Sequence, residues 1–237
     1  MVDGRRRQTA ILLLVPAAVV GASLAGCTSS SSSHGASAAL SSTKGAKANS
    51  FSAAKLRAAL LTRINGVGPA SAAASGDYTT IAVNGAGEQA AKGAPKACAQ
   101  ATETGLDSAA LAGATAASVA FKVGGNDVSE VLAAAPGTAA ASALAGRLPA
   151  SCARYKATVG GKTVIYSVTE SALTGIGKQA KVLDVAPAGG GSDARWSLVY
   201  RGAGFVGAVS VAGPNASQTA VRQLAQQAYA YAAKSLS

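Results

Sequence analysis

Three cysteines, a lone histidine and a serine–lysine pair are the side chains of this 237-residue chain best suited to covalent or metal chemistry. Cys27 closes the run Leu24-Ala25-Gly26-Cys27. That run is a lipobox: small residues fit a signal peptidase groove, and the thiol accepts diacylglycerol before cleavage between Gly26 and Cys27 makes Cys27 the new N-terminus. Upstream, Arg5, Arg6 and Arg7 precede an apolar stretch from Ile11 to Leu24, broken by Pro16 and too short for a comfortable membrane span, as in a signal peptide. Arg6-Arg7 leaves general secretion and twin-arginine export both open. Two or three acyl chains on Cys27, at about 0.8 kcal/mol per buried methylene, would make attachment to the outer face of a membrane effectively permanent. In that oxidising compartment the remaining pair, Cys98 and Cys152, most simply forms one disulfide. A redox-active pair is the alternative, but no Cys-x-x-Cys is present to lower a thiol pKa.

The other chemical signals are weaker. Ser52-Ala53-Ala54-Lys55 has the S-x-x-K spacing in which a lysine one helical turn away can activate a hydroxyl, yet the companion S-D-N and K-T-G are missing, and Ser52 stands where a helix cap belongs. Gly202-Ala203-Gly204-Phe205-Val206-Gly207 spells G-x-G-x-x-G between two segments that both read as strands, whereas a dinucleotide site needs a helix after it, so a hairpin turn is expected. Gly85-Ala86-Gly87-Glu88-Gln89-Ala90 fits a looser form of that motif, and Gly161-Lys162-Thr163 resembles the end of a P-loop but has Lys156 in place of the first glycine. His34 lies in a serine-rich stretch with no rigid neighbours to orient it, which argues against a His-dependent triad or zinc site. The carboxylates Asp77, Glu88, Glu103, Asp107, Asp127, Glu130, Glu170, Asp184 and Asp193 are scattered singly, so spacing assembles no acid–base pair and no calcium loop. Asn215-Ala216-Ser217 is a sequon in letters and a helix cap in context. No catalytic residue, cofactor or metal ligand is therefore assigned.

The elements that would carry these groups fall into three parts: a signal peptide over 1–26, the lipidated cysteine and a serine-rich linker over 27–50, and one domain over 51–237. The linker holds scarcely any large apolar residue and cannot offset the entropy of ordering; as a flexible tether it would span on the order of 25 Å. Within the domain, Leu56, Leu60 and Ile64 at i, i+4, i+8 predict an opening helix from Phe51 to Ile64, with Gly66 beyond its end. Tyr78–Val83 reads as a strand and Pro95–Leu106 as a short helix bearing Cys98. Val119–Val123 and Val128–Leu132 read as strands around Gly124-Gly125-Asn126-Asp127, and Gly137–Leu148 as a second helix. Tyr155, Ala157 and Val159 alternate with polar residues, turn at Gly160-Gly161, and return through Val164, Tyr166 and Val168 as a hairpin. Lys181–Val185, Trp196–Tyr200 and Phe205–Val211 add strands, and Asn215–Leu236 forms an amphipathic helix whose stripe runs through Val221, Leu224, Ala225, Ala228, Ala232 and Leu236. Consecutive hairpins between flanking helices predict an α+β fold, an antiparallel β-sheet flanked by helices.

Composition narrows the partners. Aromatics make up 4% and charged residues 13%, so the core is built from Val, Leu, Ile and Ala. Lysine and arginine number 21 against 10 acidic residues, and removing residues 1–26 leaves 18 against 9. A basic exported surface can attract anionic lipid or wall polymer; nucleic acid is not expected, because no basic run interleaved with aromatics occurs.

Cys98, a second cysteine just before a hairpin at Cys152, and the segment from Trp196 to Val211, behind a lipobox and serine-rich tether, are the features of a known group. The chain resembles the PknH-like extracellular sensor domains of actinobacterial serine/threonine kinases and related cell-wall lipoproteins, over roughly Phe51 to Leu236. The resemblance implies an antiparallel sheet flanked by helices, with a cleft for an extracytoplasmic ligand. The kinase ectodomains usually hold two disulfides where this chain can form one, and no kinase domain accompanies it. The expected function is a non-enzymatic ligand-binding or sensor-like module, lipid-anchored on the extracytoplasmic face of the cell membrane, that meets a small ligand, an envelope polymer or a membrane protein. A structural or accessory envelope protein acting through a basic surface is the alternative, and a hydrolase using Ser52 and Lys55 the third. Cys27→Ser is expected to leave an unprocessed, unlipidated precursor, read by mass spectrometry of the membrane fraction; normal release of mature protein from that variant would contradict the lipobox reading.

Overall fold

The alternating segments from Thr115 to Ala212 pair into a single antiparallel sheet. A computed structural model describes residues 51–85, 94–98, 104–159, 161–191 and 194–237, all within one compact unit. Its strands are β1 (Ala74–Asp77), β2 (Thr115–Val123), β3 (Asn126–Ala134), β4 (Arg154–Val159), β5 (Lys162–Leu173), β6 (Gln179–Pro187), β7 (Arg195–Arg201) and β8 (Phe205–Ala212), in the order β1-β2-β3-β8-β7-β6-β5-β4. Two meanders result. The chain runs β1-β2-β3, crosses to the far edge, and returns β4-β5-β6-β7-β8 until β8 lies against β3 in a register from Asp127↔Ala212 to Ala134↔Phe205.

Because strand side chains alternate, each strand contributes to two faces. The first face carries Val119, Phe121, Val128, Leu132, Phe205, Val209, Leu198 and Val182 and forms the larger core. The second carries Ala116, Val131, Ala133, Val206, Ala208 and Val199, and continues across β4–β6 through Tyr155, Tyr166, Val168 and Val185. Strand β8 is buried along its whole length, as a central strand covered on both sides should be. Ser197 and Ser210 would be costly on such strands, but their hydroxyls bond each other at 2.8 Å across β7 and β8.

Among the described residues, helices α1 (Ala53–Ala58), α2 (Tyr78–Gly85), α3 (Gly137–Ala145) and α4 (Gln218–Ser235) cover these faces. On the first face α1 packs over β1–β3 and α4 over β7 and β8. Helix α4 buries the expected stripe of Val221, Ala225, Ala228 and Ala232 and leaves Arg222, Gln223, Gln226 and Gln227 in solvent. Its N-cap is Ser217, whose side chain accepts from the Ala220 amide at 3.2 Å, so the Asn-Ala-Ser letters do mark a helix start. On the second face α2 packs over β1–β3 and α3 over β6–β8.

Three expected elements differ. The opening helix stops at Ala58 instead of running to Ile64: the Leu61 amide leaves the helix for the Glu130 carboxyl, and Asn65 and Gly66, at φ 50° and 82°, fold Ile64 back onto Val67. Leu56, Leu60 and Ile64 are still all buried, so the apolar pattern marked the core and not the helix length. Tyr78–Val83, expected as a strand, lies in α2. Tyr78, Ile81 and Ala82, the buried residues, stand at helical spacing, and Asp77 Oδ1 accepts the Thr79 amide at 2.9 Å to start the turn. Strand β1 precedes it, its sequence Ala-Ser-Gly-Asp too small and polar to signal a strand. Of the expected Pro95–Leu106 helix, Lys96–Cys98 are helical and Thr104–Leu106 are turn and loop, Gly105 standing at φ 70°; residues 99–103 lie outside the described residues.

Cys98 and Cys152 form the disulfide, buried beside Tyr155, Tyr166 and Val185. Closing a loop across a separation of 54 residues stabilises a fold by about 4 kcal/mol in the chain-entropy model. Cys98→Ala combined with Cys152→Ala is expected to lose roughly that amount in urea unfolding, and the unfolded, non-reduced parent should show neither residue as a free thiol.

Candidate functional site

Strand β3 reads Asn-Asp-Val-Ser-Glu-Val-Leu-Ala-Ala, and Glu130 falls in the same phase as Val128 and Leu132. Its carboxyl therefore points into the larger core, where it is 1% exposed. One oxygen, Oε2, accepts the Leu61 amide at 2.8 Å; Oε1 has no hydrogen-bond partner among the described residues. Desolvation pushes this carboxyl up to about 8, with the Leu61 amide pulling weakly the other way, so near neutrality Glu130 is mainly an uncharged acid.

Tyr200 of β7 lies on the same face, fully buried, and its hydroxyl is likewise unpartnered among the described residues. A Cβ at Gly207, its cross-strand partner on β8, would overlap the Tyr200 ring, so the glycine is what lets that ring lie over β8 toward β3. Burial raises the Tyr200 phenol well above its ordinary range, and the nearby Glu130 charge and Tyr229 raise it further. Phe205 and Tyr229 complete an aromatic cluster, with ring centroids 6.5 Å (Tyr200–Phe205), 5.7 Å (Tyr200–Tyr229) and 6.4 Å (Phe205–Tyr229) apart. Such pairs each add about 1 kcal/mol beyond their burial. Enclosed this fully, Glu130 is placed to couple proton binding to the seating of α1 through Leu61, while Tyr200 packs against Tyr229 of α4 as a neutral phenol.

A second polar group holds α3 on the opposite face. Lys181, 7% exposed, donates to the Gly146 carbonyl at the end of α3 (2.7 Å) and pairs with Glu170 Oε1 at 3.4 Å. Arg201 donates to the Gly137 carbonyl at the start of that helix, 3.4 Å away. A cation at a helix C-terminus meets the negative end of its dipole, which makes Lys181 a clasp for α3.

The residues singled out from sequence have separate positions. Gly26, Cys27 and His34 lie outside the described residues, as does most of the Gly85–Ala90 motif. Ser52 caps α1 by accepting from the Lys55 amide at 3.2 Å, while the Lys55 ammonium sits 5.2 Å from the centre of the Phe51 ring, so the pair serves the helix start. Gly202–Gly207 spans the β7–β8 turn and the start of β8, and Gly161, at φ 79°, turns the β4–β5 hairpin. Among the described residues no group of three His, Cys, Asp or Glu side chains could hold a metal ion, and no helix is long and apolar enough to cross a membrane. Sequence reasoning passed over Glu130 as one isolated carboxylate; its phase between Val128 and Leu132 is the signal that places it inward.

The architecture is thus that of an antiparallel-sheet module with helices on both faces. No family model and no curated protein matches the sequence. Among solved structures, it is similar to the extracellular domain of PknH from Mycobacterium tuberculosis, with a TM-score of 0.50 and 10% identity, over 78% of this chain and 98% of that one. At that identity the likeness is one of fold.

Glu130 carries a pH dependence of definite sign. Its folded pKa, about 8, stands above the ordinary carboxyl value of 4.5, so the native state binds the extra proton. The stability this confers is fully present below pH 4.5 relative to high pH and is lost as pH rises to about 8, by roughly a few kcal/mol in all. Glu130→Gln, uncharged at every pH, is expected to flatten that slope and to be the more stable protein at pH 8.5. Urea midpoints at pH 5 and pH 8.5 measure this, and a variant with the parent's slope would contradict it.

Proposed function

We propose that this protein is a non-enzymatic recognition module of the cell envelope, sensor-like in the sense that it binds an extracytoplasmic molecule and undertakes no chemistry on it. The observation that carries the reading is the shared fold: nearly the whole of a kinase's extracellular domain has a counterpart here. Ser52 and Lys55, the residues of the hydrolase alternative, are engaged at the start of α1 and leave that reading without a nucleophile–base pair. In this proposal residues 1–26 are the signal peptide, Cys27 carries the lipid, 27–50 serve as tether, and residues 51–237 face away from the membrane. In this reading the ligand is held at the surface or handed to a membrane protein partner.

A thermal-shift screen of the chain from Lys44 onward, which holds the whole sheet and every core cluster, tests the reading against envelope lipids, wall fragments and anionic polymers. A saturable rise in Tm produced by one class of molecule, worth about 3 kcal/mol at a hundredfold excess over Kd, is the expected result. A rise common to every polyanion and abolished by salt would replace recognition with the accessory, basic-surface alternative.

A further inference from the structure

The first face of the sheet is covered unevenly. Helix α1 lies over β1–β3 and α4 over β7 and β8, while the residues that β4 and β5 direct to that face, Arg154, Lys156, Ser167 and Thr169 among them, are exposed. The opposite side of the same strands is closed by the disulfide and Tyr155, Tyr166 and Val168, so the open third has a rigid backing.

Its chemistry is chiefly polar and cationic, with one indole at its border. Strand pairing sets Thr169 opposite Asp184 and Asp184 opposite Trp196, a row of three side chains crossing β5, β6 and β7 over roughly 10 Å. The adjoining row places Arg154 opposite Ser167, and Lys156 stands two residues along β4, about 7 Å from Arg154. Ser167 donates to the Ala186 carbonyl at 3.3 Å and keeps its acceptor lone pairs. Neither Arg154 nor Lys156 has an ion pair among the described residues, and Glu170, next along β5, points to the other face toward Lys181. Asp184, partly buried on β6, is the one carboxylate of the row and stands two strands away from Arg154 and Lys156 on β4. Trp196 is partly exposed at the boundary with the α4-covered core. A flat indole, aligned hydroxyls and two uncompensated cations match a chain of sugar rings bearing negative charge: the rings' C–H faces stack on the indole, their hydroxyls meet the Thr169 and Ser167 hydroxyls, and their carboxylates meet Arg154 and Lys156.

We propose that the open face of β4–β7, from Trp196 through Thr169 and Ser167 to Arg154 and Lys156, is the docking surface for an acidic polysaccharide. It deepens the recognition reading and rests on it. Lipid surfaces fit less well, because the side chains that stand fully exposed on this face, Arg154, Lys156, Ser167 and Thr169, are polar while Ile165 and Trp196 are partly buried, and a polyphosphate would use the cations but leave the indole idle.

Trp196 is the only tryptophan of the chain, so its fluorescence reports from the site itself. The chain from Lys44 onward is titrated with alginate, a polyuronate, and in parallel with neutral dextran, inorganic polyphosphate and anionic phosphatidylglycerol vesicles. The expected result is a saturable change in emission with alginate, weakened and not abolished at physiological salt. Arg154→Glu with Lys156→Glu should weaken binding about tenfold or more, and Trp196→Phe, read by calorimetry, should weaken it as well. Arg154→Gln with Lys156→Gln provides a milder pair should charge reversal disturb the edge strand. Equal response to polyphosphate, a response to vesicles alone, or alginate affinity unchanged in the charge variants would each overturn the assignment. A ligand from the wider screen that still raises Tm in the double variant would sink this face and leave the recognition reading standing; no saturable ligand at all would sink both.

Discussion

The pairing of β3 with β8 is the constraint on which the rest of the structure depends. Every other strand contact joins strands consecutive in the chain, β1 and β2 across α2 and the rest across shorter connections, whereas this one closes two meanders whose paired residues lie more than seventy positions apart, from Ala134↔Phe205 outward. Without it there would be two small hairpin sheets, each with a bare hydrophobic edge. Both cores straddle the seam, since Val128 and Leu132 on one face, and Val131 and Ala133 on the other, pack beside Val209, Phe205, Ala208 and Val206. Non-local pairing of this kind has a high closure entropy, and the Cys98–Cys152 link is a second long-range tie, from the region ahead of β2 to the turn that leads into β4.

Glu130 stands in the middle of that seam, opposite Val209, where an apolar residue would pack more simply. Its Oε2 holds the Leu61 amide, which determines where α1 ends and so how the first helix lies on β1–β3. The tyrosine over Gly207 fills the adjoining space and brings into the same core a second oxygen without a partner among the described residues. Both groups cost stability when charged, and both are cheap to keep neutral, so the ionisation state of the interior is part of what decides how tightly the two helices of the first face are held.

Much of this was legible in the residues. The hairpins from Tyr155 to Val168 and from Trp196 to Val211, the stripe of α4 and the cysteine pair all rest on strong periodicity or on compartment chemistry, and they appear where those signals place them. Tyr78–Val83 misleads because six residues rich in β-branched side chains satisfy either period; the local Asp77–Thr79 hydrogen bond settles it, and that bond is invisible to a hydropathy pattern. The full length of α1 misleads because a partner 69 positions away captures the Leu61 amide. The open face of β4–β7 was hidden for a different reason: alternation identifies a solvent side for each strand, but only the order of strands shows that Trp196, Asp184 and Thr169 form one row.

The two ends of the described fold share a core. Phe51 packs against the cluster that also contains Leu236, so the chain enters and leaves on the same side of the sheet, through α1 and α4. Mechanical tension between the ends would be borne first by the apolar contacts of two helices and only afterwards by the ladders of the sheet. Such contacts yield by sliding, while a ladder loaded along its strands must break many hydrogen bonds together. The molecule is thus compliant at its ends and stiff in its centre, and strain applied along the chain would disturb the Glu130–Leu61 link before it reached the disulfide-backed half.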